Sequence, residues 1–431
     1  MFLIKPLRQR LQHSHHLLVS VYTAFVAFSV YSCMYAFRKP FTVGVFDDMT
    51  FAGHNYKIWL VIAQTLGYAA SKFYGVKFIG EMSAPRRAGA IMVMIVLAWL
   101  AMLGFAVTPA PYNIIFLFLN GFPLGLIFGL VLSFVEGRRM TEFIGSVVAI
   151  SFIFSSGFAK SVGKMVMLWW NVSEFWMPFV AGAVFIIPMF IFIVLLNQVP
   201  PPTAQDELLR TRRAPMDRTE RRTFLMRFLP GLILLIICYV MLTTLRDMRD
   251  NFAADMWRQL GYERNAGVFT QTEIPISIAI LMMMSLLVFV KDNYKALLLN
   301  HAIIIAGFAL AGGSTLLFQA HLISPFLWMT LCGLGLYMGY IPFNCLLFER
   351  LIATFRYVSN VGFILYIADS YGYLGSITVM LIKDMSSLHV SWLHFYMSIL
   401  QGMCALGIVL MFIAALYFRK KYKLSSNAGG L

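Results

Sequence analysis

The chain has 431 residues, of which 60% are hydrophobic and only 12% are charged. A water-soluble protein of this length needs far more polar surface, so the apolar excess is expected to face lipid, and a soluble domain is excluded. The formal net charge of +15 would suit nucleic acid, but its positions point elsewhere: the basic residues gather in the connections between apolar runs.

A spanning helix needs about 20 mostly apolar residues. The opening Met1–His16 is basic and rich in histidine. The apolar run after it is too long for a signal-peptide core and lacks a small-residue cleavage site, so it is expected to be the first span. Scanning onward predicts spans at 17–46, 57–80, 88–107, 112–135, 143–166 and 174–196. Past a polar stretch, six more fall at 227–253, 267–290, 296–318, 324–347, 358–382 and 393–418. None of these runs alternates as a barrel strand would, so the fold class is an all-α polytopic membrane protein with twelve transmembrane helices.

The connection 197–226 opens with three prolines, Pro200 to Pro202, and continues as the mixed-charge stretch Asp206–Arg222. It reads as a solvated cytoplasmic linker between a six-helix bundle at 1–196 and a second at 227–431. The chain ends and the even-numbered connections hold 22 of the 34 Lys and Arg, the opposite side holds four, and the remaining eight lie within spans. By the positive-inside rule both termini are cytoplasmic, in a multi-pass protein of a bacterial inner (plasma) membrane type. Cys33, Cys238, Cys332, Cys345 and Cys404 lie in apolar segments without metal-ligand spacing and read as packing residues. No metal site and no cofactor is expected.

The first and seventh spans share a pattern. Tyr31 precedes Arg38 by seven residues, and Tyr239 precedes Arg246 by the same interval. Seven residues are two helical turns, so each pair would share a face. Matching positions in two pseudo-symmetric halves are expected to face one central cavity, where two guanidiniums would bind a phosphate or carboxylate in bidentate fashion. The alternative for both arginines is snorkelling to the headgroups. Arg249, one turn from Arg246 but among Asp247, Asp250 and Asp255, reads as part of a surface network. Lys160 and Lys164 read as interfacial, beside Trp169 and Trp170.

The segment Tyr35-Ala36-Phe37-Arg38-Lys39-Pro40-Phe41 resembles the Tyr-x-x-Arg-Lys-x-Phe signature of the organophosphate:phosphate antiporters, a branch of the major facilitator superfamily. Tyr68-Ala69-Ala70-Ser71-Lys72-Phe73, Pro85-Arg86, Asn120-Gly121-Phe122-Pro123 and Trp176-Met177-Pro178 are similar to further blocks of that family. The resemblance implies the major facilitator fold, two pseudo-symmetric six-helix bundles, and a monomer. It also implies a substrate site at Arg38, Arg246 and Lys72, with Tyr31 and Tyr35 as hydrogen-bonding groups, and inorganic phosphate as a coupling ion. For Lys72 a structural ion pair is the alternative.

The chain departs from that pattern at three places. Glu81-Met82 replaces the family's Asp-Arg, so a gating ion pair would join Glu81 to Arg86, Arg87 or a distant partner. Ser151–Gly157 lacks the family's histidine. Two acids, Glu273 before Ile274-Pro275 and Asp369 in span eleven, are additional. Either could pair with Arg246 or Arg249 in the empty carrier, or carry a proton as the coupling ion; for Asp369 a local partner, Tyr366 or Asn360, is the alternative. The expected function is a secondary active transporter moving a phosphorylated or other small organic anion by alternating access. A transport-like receptor that senses such a ligand without flux is the alternative. No nucleophile elbow, paired-carboxylate site or Gly-x-x-x-x-Gly-Lys loop occurs, so an enzyme and direct ATP coupling are not expected.

Overall fold

The structure, a computed structural model, describes residues 4–135, 141–202, 218–355, 361–385 and 390–427. Most of the expected linker therefore lies outside the described residues, as does Asn360, and nothing is described of the Tyr366 side chain. By the proximity of their backbones, the residues fall into two compact units. The first comprises Met1–Arg210 with Asn251–Ser277, and the second Thr211–Asp250 with Ile278–Leu431.

The first unit opens with a short basic helix, α1 (Lys5–Gln12), followed by α2 (His16–Tyr35). It continues with α3 (Tyr56–Gly80), α4 (Arg87–Val107), α5 (Ile114–Val135), α6 (Thr141–Trp170) and α7 (Met177–Leu196). A two-stranded hairpin, β1 (Thr50–Phe51) and β2 (His54–Asn55), stands between α2 and α3. The core of the unit is built from α2, α4, α5, α6 and α7 around Val30, Ile91, Ile127, Val148 and Met189. Helices α3 and α5 cross at glycines. A Cβ on Gly67 would stand 2.2 Å from the Phe118 carbonyl oxygen, and one on Gly121 would stand 2.3 Å from that of Gln64. Small residues allow such backbone approach where lipid supplies no hydrophobic drive between helices.

Helix α8 (Arg218–Asn251) belongs to the second unit up to Asp250. The short α9 (Ala253–Gln259) and the start of α10 (Val268–Val288) group with the first unit. The second unit is completed by α11 (Asn293–Gln319), α12 (Pro325–Pro342), α13 (Phe348–Thr354), α14 (Val361–Met385) and α15 (Trp392–Asn427). Between α12 and α13 the chain widens into a π-helical turn, Phe343–Leu347. Such turns concentrate at functional sites.

Ten segments among the described residues are long and apolar enough to cross a membrane. The other two expected spans are the 25-residue helices α3 and α14. Each rises about 37 Å, enough for the hydrocarbon core. The charged residues they hold are Lys57, Lys72 and Lys77 in α3, and Asp369, Lys383 and Asp384 in α14. One expected boundary is corrected: the first span was placed at 17–46, but α2 ends at Tyr35. A turn over Ala36–Lys39 leads into a 3-10 helix, Pro40–Val43, since Pro40 has no amide hydrogen to continue the ladder.

Candidate functional site

In the first unit, Arg38 lies in the turn beyond α2 and not on its face, so the two-turn spacing from Tyr31 is not helical throughout. Side chains from α3 and α5 fix this turn. Gln64 donates to the Arg38 carbonyl at 2.9 Å and to Asn120 Oδ1 at 2.8 Å. Asn120 in turn donates to the carbonyls of Phe37 and Ala98, both at 2.9 Å. The Arg38 guanidinium lies 4.0 Å from the centroid of the Tyr68 ring and 5.8 Å from that of Tyr35. Lys72 Nζ approaches the same Tyr68 ring at 5.7 Å. Two cations thus share one phenol on α3. Tyr35 packs edge-on to Tyr31, which is itself buried against Phe128 and Phe152.

The second unit carries a parallel group. Arg246 lies within α8, with its guanidinium 3.9 Å from the Tyr340 ring centroid. It is bound to Asp247, at 2.6 Å from Nη2 and 3.2 Å from Nε. Tyr239 stacks on Tyr340 at 5.6 Å, and its hydroxyl donates a short hydrogen bond to Asp369. Asn344, in the π-helical turn, lies 3.4 Å from the same hydroxyl and donates to the Tyr340 carbonyl at 3.0 Å.

Arg246 binds the carboxylate of its neighbour Asp247, and Asp369 binds Tyr239. The expected surface network is corrected. Arg249 is no surface group: it is 5% exposed and donates to the Met329 carbonyl at 3.0 Å.

Asp255 is likewise buried and not superficial. Its partner is Lys57, 1% exposed, with Nζ 2.6 Å from the carboxylate and 2.8 Å from the Thr42 carbonyl. Lys39, also buried, donates to Asn251 at 2.9 Å. Lys160 is 4% exposed. Glu273 is buried, and its Cγ would lie 2.6 Å from a Cβ on Gly157, one turn before Lys160. Glu81 and Arg86 are exposed, and Glu81 forms no ion pair among the described residues. Arg87 donates instead to the Ser133 carbonyl at 2.8 Å.

At the surface of this unit Arg258 pairs with Asp47, and its hydrogen bond holds that carboxyl below its ordinary value. A lowered folded-state pKa adds stability above the ordinary aspartate value of about 3.9, and the gain fades as pH falls through the lowered value. Asp47→Asn is therefore expected to lower the melting temperature at pH 7, only slightly because the pair is solvent-screened, and by less at pH 3. Melting curves in detergent at the two pH values check this.

Comparison with known proteins defines the class. The crystal structure of a D-xylose-proton symporter is similar over 92% of this chain and 97% of its own, with a TM-score of 0.62 at 14% identity. A bacterial homolog to the human lysosomal transporter Spinster, in an inward-facing and unoccupied conformation, matches 95% of this chain and 97% of its own, with a TM-score of 0.57 at 13% identity. The fold is an all-α polytopic membrane fold of the major facilitator type. The chain belongs to the family described as "Family of unknown function (DUF5690)", whose model matches residues 40–421. No curated protein matches the sequence.

Proposed function

We propose that this protein is a secondary transporter for a small organic anion, phosphorylated or carboxylated, working by alternating access with both termini cytoplasmic. The observation that carries the reading is the pair of cations, Arg38 and Lys72, gathered on the single ring of Tyr68. Positive charge inside a spanning unit is costly, and an incoming anion lowers that cost. Stacking on the ring orients the guanidinium plane, and a planar guanidinium binds an oxyanion in bidentate fashion. Arg246 is the corresponding group of the second unit, and the resemblance to organophosphate:phosphate antiporters supports both assignments.

The second unit argues for coupling other than strict exchange. Asp247 neutralises Arg246 within the protein, so the empty carrier is not left with an uncompensated arginine there. Asp369 and Glu273 are the carboxyls suited to carry a proton.

The test is uptake into proteoliposomes of labelled inorganic phosphate, a sugar phosphate and a dicarboxylate, with D-xylose as neutral control. At least one anion is expected to enter. Arg38→Ala should lower that uptake by two orders of magnitude, and Arg38→Lys should restore part of it. Entry of xylose alone, indifferent to Arg38, would overturn the reading.

A further inference from the structure

Helices α8 and α15 of the second unit meet at Gly231. A Cβ there would stand 2.4 Å from Phe418 Cζ and 2.7 Å from Tyr417 Cδ1, so the bare glycine lets both rings close on α8. One turn toward the start of α8, Lys421 Nζ donates a short hydrogen bond to the Arg227 carbonyl and lies 5.0 Å from the Phe228 ring centroid. The two helices are therefore antiparallel here, and residues 222–227 stand level with 419–425. This register gathers six cations, Arg222, Arg227, Arg419, Lys420, Lys421 and Lys423. We propose that they form a binding site for an anionic phospholipid, its phosphate held by the cations and its acyl chains laid along the exposed apolar stripes of α8 and α15.

No counter-charge is supplied nearby on either helix. Residues 222–237 and 405–426 contain neither Asp nor Glu. Among the described residues, none of Arg222, Arg419, Lys420 and Lys423 joins an ion pair. Like charges crowded at one level repel, and an anion from outside the chain relieves them. The end of α15 is also held in place. Lys421 Nζ lies 3.2 Å from the Tyr417 hydroxyl, and Tyr422 stacks on Tyr294 of α11 with ring centroids 3.9 Å apart. A site fixed in advance leaves little ordering cost to binding.

The apolar stripes identify the ligand as a lipid and not a free anion. On α15, Val409, Phe412, Leu416, Lys420 and Lys423 recur at three- and four-residue steps, so they follow one face. The three apolar members are exposed, and on a spanning helix such a face meets hydrocarbon. Lys420 stands about 6 Å beyond Leu416 along the axis, roughly the thickness of the headgroup layer. On α8 the exposed Ile237, Ile233 and Met226 lead in the same way to Arg222. A soluble phosphate would use the cations alone, whereas a phospholipid uses cations and stripes together. The site is independent of the transport reading.

Retention of labelled phosphatidylglycerol by the full-length protein, immobilised in dodecyl maltoside, tests the site, with phosphatidylcholine of the same chains as reference. The parent is expected to bind phosphatidylglycerol at least tenfold more tightly than phosphatidylcholine. Arg419→Gln, Lys420→Gln and Lys423→Gln together should weaken phosphatidylglycerol tenfold or more and leave phosphatidylcholine as it was. Lys5→Gln, Arg8→Gln and Arg10→Gln in α1 remove the same charge elsewhere and should change neither affinity. Equal effects of the two triple variants, whether weakening or none, would overturn the proposal. So would equal binding of the two lipids by the parent, or displacement of the lipid by inorganic phosphate, which would mark a site for a free anion.

Discussion

Gly121→Val is expected to leave little folded protein. At this position even a methyl group would stand 2.3 Å from the Gln64 carbonyl oxygen and 3.1 Å from the Tyr68 amide nitrogen. Both obstacles are backbone atoms of α3, so no rotamer change relieves them and the helices must part. Overpacking of this kind costs about 3 kcal/mol or more, a large share of the stability of any domain. The damage reaches the site directly. Gln64 and Asn120 hold the turn that presents Arg38, and both flank the crossing. Melting in detergent and the monodisperse fraction on gel filtration measure the loss. A melting temperature within a few degrees of the parent would mean that α3 and α5 tolerate separation.

Asp247→Asn should change the mode of transport more than its rate. The wild-type carboxylate neutralises Arg246 at 2.6 Å. The amide keeps the shape and removes the charge, so the empty second unit gains an uncompensated cation, which is costly in a low dielectric. Return of the unloaded carrier becomes the slow step. Uptake into empty liposomes is expected to fall at least tenfold, while exchange into liposomes preloaded with the same anion persists. Equal loss of both would assign Asp247 a structural role, and no change in either would remove it from the mechanism.

Much of the helical layout was legible because lipid imposes one rule, that a run of about twenty apolar residues must be a helix. The same rule misplaced the end of the first span. Residues 36–46 are apolar enough to continue a helix, and what turns the chain is Pro40 together with Asn120 and Gln64 from distant segments. Arg38 and Arg246 could be picked out as charges in apolar surroundings. Their aromatic partners could be found only unevenly. Tyr68 stands four residues before Lys72 and so shares its helix face, whereas Tyr340 lies in a different helix with no local sign of its role. The Lys57–Asp255 pair was the hardest to foresee. Each residue sits beside a predicted span end, where a charge usually faces water. Only the packing of α9 within the first unit shows both to be buried.

The unequal helix lengths bear on the thickness of the surrounding bilayer. Short and long helices occur in both halves of the chain: α2, α4, α5, α7 and α10 have 20 to 22 residues and α6 has 30, whereas the pair α8 and α15 have 34 and 36. The shorter set rises only about 30 to 33 Å, close to the hydrocarbon core itself, while the longer pair exceeds 50 Å by roughly the same measure. A helix with length to spare accommodates a thicker membrane by tilting less, and one without must thin the lipid around it. Acyl-chain length is therefore felt first by the short helices, and α2, which leads into the turn of Arg38, is one of them.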